Sequence, residues 1–88
     1  MRLAGLWAMQ TTAQSSIEKL VELYYRPVFR FAARLCGDPV RAMLLTQRTF
    51  RAALERSRNL PVPANARAWL YTLVFHKFLE ARLRGFWT

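Results

Sequence analysis

Residues 42–54 read AMLLTQRTFRAAL, and the spacing within this stretch decides the fold. Ala42, Leu45, Thr49 and Ala52 recur at steps of three and four, with Phe50 and Ala53 at the edge of the same stripe. Such steps stay on one side of an α-helix. Leu44, Gln47, Arg48, Arg51 and Glu55 fall on the opposite side. The stretch is therefore a helix with one face for a core and one polar face with a leucine set into it. An apolar side chain on an otherwise polar face suits a protein partner better than it suits water.

Immediately upstream, Asp38-Pro39 starts this helix, because Asp is a good N-cap and Pro fits the first helical turn. Gly37 just before them is a stop for an earlier helix. That helix carries Ile17, Leu20, Val21 and Tyr24 on one stripe, then Val28, Phe31, Ala32 and Leu35. Ser15 and Glu18 have the spacing of a capping box, which predicts a start at Ser15. Pro27 has no N–H and clashes with the turn before it, which predicts a kink or a break near Tyr25.

Downstream, the helix runs to about Ser57, and Pro61 and Pro63 mark a loop over residues 58–64. Asn65 then caps a last helix that reaches about Arg84. Leu70, Leu73, Val74 and the aromatic residues of that helix are expected in the core, and Asn65, Thr72, His76 and Glu80 lie on another side. The expected fold is all-α, three main helices over residues 15–88 behind a loose arm over residues 1–14.

The composition narrows the function. Eighty-eight residues make one small domain with a modest core. Twelve Arg and two Lys against five acids give a net charge of +9, which points to a polyanionic partner. Arg outnumbers Lys, and the guanidinium fork matches phosphate. Between Asp38 and Glu55 no acid occurs, while Arg41, Arg48 and Arg51 do. Cys36, the sole cysteine, precludes an internal disulfide, reads as a buried structural thiol and fits a reducing cytoplasm. With His76 as the lone histidine no zinc site is expected. No acid–base pair, nucleophile triad or phosphate loop is visible, so neither catalysis nor a cofactor is expected. No apolar run is long enough to span a membrane.

Three segments carry a family resemblance. Around TQRTF, Ala42, Leu45, Gln47 and Phe50 match the pattern Ala-x-Asp-Leu-x-Gln-Glu-x-Phe of region 2 in bacterial sigma factors, especially the extracytoplasmic-function group. Leu20–Asp38, LVELYYRPVFRFAARLCGD, resembles the family segment LYxxYxPxVYRLARRLLGD. Arg67-Ala68-Trp69-Leu70-Tyr71 matches the family's RaWLY signature and is the most specific of the three. The resemblance as a whole extends over about residues 17–84.

The resemblance implies two binding surfaces. The second helix would grip the coiled coil of the beta-prime subunit of core RNA polymerase through Leu44, Gln47, Arg48 and Arg51. The 58–66 loop and the last helix would capture the melted single-stranded −10 region of promoter DNA through Asn65, Arg67, Thr72, His76, Lys77, Arg82 and Arg84. His76 stands where the family commonly has Asn. An anti-sigma factor covering the Leu44 face is a further implied partner. Leu44 replaces the family's Asp and Arg48 its frequent Glu, and both changes remove negative charge from the polymerase face. The alternative reading is therefore a degenerate or truncated sigma-like module that binds DNA or protein without initiating transcription. A third reading, a membrane-surface binder using Trp7, Phe86 and Trp87, ranks below both because the helices bury their apolar faces against one another.

Overall fold

Three helices account for the regular structure of the computed structural model, which describes residues 12–85. Helix α1 spans Thr12–Cys36, α2 spans Pro39–Ser57 and α3 spans Ala66–Leu83. Each packs against the other two.

Helix α1 starts earlier than expected and, of the kink or break expected at Pro27, shows no break. It is already helical at Thr12, so Ser15 lies inside the helix and is not its N-cap. Ala13 and Gln14 are good helix formers and contain no breaker, which lets the helix extend back past the serines. The chain also passes Pro27 without a break. Pro27 forfeits one hydrogen bond, to the carbonyl of Leu23, and Leu23 is two-thirds exposed at 68%, beside water. Ile17 and Leu20 before the proline and Val28 and Ala32 after it are all buried, so packing on both sides holds the two halves in one helix. The expected arm falls mostly outside the described residues, at 1–11; Thr12–Gln14 are helical.

Gly37 ends α1 with φ +68°, the left-handed conformation that a Cβ disfavours. Its N–H donates to the Ala33 carbonyl at 2.8 Å, and α2 begins two residues later. Asp38 caps α2 as expected, accepting from the Val40 N–H at 3.1 Å. Asn65 caps α3 likewise, its Oδ1 accepting from the Ala68 N–H at 3.1 Å.

The core joins Ile17, Leu20, Val28 and Ala32 of α1 to Ala42, Leu45, Phe50 and Ala53 of α2 and to Leu70, Leu73 and Val74 of α3. Thr46 and Thr49 are fully buried among these side chains. Leaving a buried hydroxyl unbonded costs about 1–3 kcal/mol. Both avoid it by donating to the carbonyl four residues back, Thr46 to Ala42 at 2.7 Å and Thr49 to Leu45 at 2.9 Å. Trp69, Tyr71 and Phe78 pack half-buried on the core, and so does Val62 from the loop. Phe75 does not: it is exposed, a correction to the expectation that the aromatic residues of α3 are core. It lies nearly opposite the buried Leu73 around the helix, on the side turned away from the core.

Candidate functional site

Because α2 turns Ala42, Leu45, Thr46, Thr49, Ala52 and Ala53 inward, Leu44, Gln47, Arg48, Arg51 and Glu55 are left on the outside. The fold thereby gathers the four residues expected to meet a protein partner. Leu44, Gln47, Arg48 and Arg51 line one shallow concavity of about 180 Å³. Leu44 is 39% exposed, so an apolar side chain sits half-open within a polar rim. The concavity thus sets one half-open apolar side chain among three polar ones.

The residues expected to meet nucleic acid separate into three groups. Asn65, Thr72 and His76 share one exposed stripe of α3, at intervals of seven and four. Two of them are partly engaged by their own helix. Asn65 uses its carbonyl oxygen for the cap and keeps its amide donors. Thr72 donates to the Ala68 carbonyl at 3.0 Å and keeps its acceptor lone pairs.

Arg67 belongs to a different flank. Its Nε donates to the Tyr71 hydroxyl at 3.1 Å, and its guanidinium carbon lies 5.6 Å from the Tyr71 ring centroid. Tyr71 in turn stacks on Phe31 with centroids 4.9 Å apart. Pro27, Arg30 and Arg34 of α1 complete this concavity of about 270 Å³. Arg30 and Arg34 escaped the sequence reading, although their i, i+4 spacing places them on one side of α1 and was there to be used.

The third group lies between α2 and α3. Lys77 and Arg84 of α3 face Arg48 and Arg51 of α2 across a groove of about 350 Å³. Ala52 and Ala81, both buried, line its base, and Glu55 and Glu80 stand among the cations. Lys77 Nζ lies 3.3 Å from Glu80 Oε1, an exposed pair of the kind that contributes roughly 0–1 kcal/mol. Two arginines expected to meet protein and two cations expected to meet nucleic acid thus share one wall system. Sequence spacing could not reveal this, because it reports faces within a helix and not which faces of two helices adjoin.

Arg82 points elsewhere, with its guanidinium carbon 5.7 Å from the Phe78 ring centroid. Cys36 at the end of α1 is half-buried. Burial pushes its thiol above the ordinary range; Arg41 pulls it back in part and Asp38 pushes it further up. It is a poor nucleophile near neutral pH, in keeping with a packing role.

Among the described residues, no group of three or more His, Cys, Asp or Glu side chains is placed to hold a metal ion. Among the same residues, no helix is long and apolar enough to cross a membrane. Comparison with known proteins finds no match among curated sequences or solved structures. A family model does match, that of sigma-70 region 2, over residues 20–87.

Proposed function

The chain belongs to the sigma-70 region 2 family, and from that premise we propose that it works as a sigma-factor domain of the extracytoplasmic-function type. Region 2 binds core RNA polymerase and takes part in promoter melting; it is a regulatory DNA-binding domain and does no catalysis. In this chain the polymerase-facing surface is the outer face of α2, and the beta-prime coiled coil is its occupant. The observation that carries the reading is the concavity shared by Leu44, Gln47, Arg48 and Arg51. Gln47 supplies a paired donor and acceptor, and Leu44 supplies an apolar contact for the partner to bury.

The promoter-facing surface is the 58–66 loop with the exposed side of α3. Asn65, Thr72 and His76 offer donors and acceptors to the edges of unpaired bases. Arg67, Lys77, Arg82 and Arg84 supply phosphate contacts, which hold the strand without reading it. An anti-sigma partner of this domain would cover the Leu44 face and so exclude polymerase.

The test is binding of the purified chain to bacterial core polymerase. Gln47→Ala is expected to weaken binding roughly 5- to 10-fold, the loss of about one neutral hydrogen bond. Arg48→Glu is expected to strengthen it, because a carboxylate at this place faces a basic partner surface. Absence of binding by every version removes the initiation role. What then remains is a sigma-derived module that holds DNA or another protein.

A further inference from the structure

We propose that the groove between α2 and α3 is a binding site for a nucleic-acid phosphate backbone, with Arg48 and Arg51 acting on phosphate beside Lys77 and Arg84. The inference extends the promoter-binding reading to two residues of the other helix. Four cations and two carboxylates line the groove, so it carries a net positive charge within a chain that is itself +9. Ala52 and Ala81 matter as much as the charges. Their single methyl groups keep the base of the groove low, and the long side chains of both helices rise on either side of open space. A convergent set of cations around a concavity favours a ligand with several closely spaced anionic groups over a single ion. A phosphodiester strand has that character, and it can run along the groove and past its open ends. Glu55 and Glu80 repel phosphate and Lys77 is paired with Glu80, so the attraction rests on the excess of cations and above all on Arg51 and Arg84.

A consequence follows from shared residues. Arg48 and Arg51 line both this groove and the concavity that holds Leu44 and Gln47. A strand in the groove therefore runs beside the surface that a protein partner on the α2 face uses, and the two ligands meet at Arg48 and Arg51.

The experiment is fluorescence anisotropy of the full chain with a labelled single-stranded oligonucleotide of scrambled sequence, over a salt series and without polymerase. Arg51→Gln and Arg84→Gln are each expected to lower the slope of log K against log[salt] by about 0.7, the value for one lost single-strand phosphate contact. Arg51→Lys should restore most of the affinity. Arg26→Gln makes the same change in net charge on α1, away from the groove, and is expected to leave the slope within error. A slope that falls with Arg84→Gln but not with Arg51→Gln would overturn the proposal, and promoter binding by α3 alone would stand. So would equal effects from Arg51→Gln and Arg26→Gln, which would reveal only long-range attraction. Inorganic tripolyphosphate that binds wild type more tightly than the oligonucleotide would also overturn it, by assigning the groove to a compact polyphosphate. Because the salt series contains no polymerase, failure of polymerase binding and failure of the groove register separately.

Discussion

Helices α2 and α3 are of nearly equal length and handle their apolar residues in opposite ways. In α2 the division is clean beyond its first two turns: the buried set is Ala42, Leu45, Thr46, Thr49, Phe50, Ala52 and Ala53, and the outer face is polar apart from Val40, Met43 and Leu44. In α3 the buried set is only Leu70, Leu73, Val74 and Ala81, while Phe75, Leu79 and Leu83 stand exposed around the same turns. A helix that is apolar on one side announces its orientation, and a partner site on the other side stands out against polar neighbours. A helix that carries apolar residues on its outer side as well is anchored just as firmly, yet its pattern does not separate an exposed aromatic such as Phe75 from the core residues beside it.

The sharpest way to break this comparison is through stability. Leu45→Ala in α2 and Leu70→Ala in α3 each remove a fully buried side chain and are each expected to cost about 2–5 kcal/mol in urea unfolding. Leu83→Ser in α3, where the side chain is 87% exposed, is expected to change stability by about 0.5 kcal/mol or less. A large loss at Leu83 would mean that the outer side of α3 is covered in solution.

A smaller effect compares the starts of the same two helices. Asp38→Ala and Asn65→Ala each delete an N-cap acceptor, and each is expected to destabilise by about 1 kcal/mol in the same assay. Asp38 also lies 3.6 Å from Arg41, so its loss should exceed that of Asn65 only slightly, and only at low salt.

The smallest effect concerns the thiol that precedes α2. Because burial raises the Cys36 pKa in the folded chain, the folded state retains its proton at a pH where the unfolded chain begins to lose it. Whatever stability this provides is complete below the unfolded pKa and is lost as pH rises through the folded one. Alkylation of native protein at mildly alkaline pH should be slower than that of urea-unfolded protein, and the two rates should converge as pH rises.

Most of the fold was legible in the sequence because its signals are local. Asp38-Pro39, Gly37, Asn65 and the Pro61/Pro63 pair mark boundaries through backbone chemistry that does not depend on the rest of the chain. Ser15 misled because a capping pattern is only an opportunity: the residues before it, Thr12–Gln14, are helical as well. Pro27 left a kink and a break both open, and burial of Val28 and Ala32 beyond it decides against the break. The α2 face was legible through its period. The groove was not, because Arg51 and Lys77 become neighbours only through packing.

The joint between α1 and α2 bears on the order in which the molecule assembles. Only Gly37 and Asp38 separate the two helices, whereas residues 58–65 separate α2 from α3. Closing a shorter loop forfeits less chain entropy, so contacts near the first joint form at little cost in search. The α1–α2 hairpin is thus the natural nucleus, and α3 docks onto a surface already laid down by Val28, Ala32 and Leu45. A substitution at Gly37 that disfavours its left-handed conformation would then slow the approach to the native state, while one in the second loop would chiefly alter how readily α3 detaches.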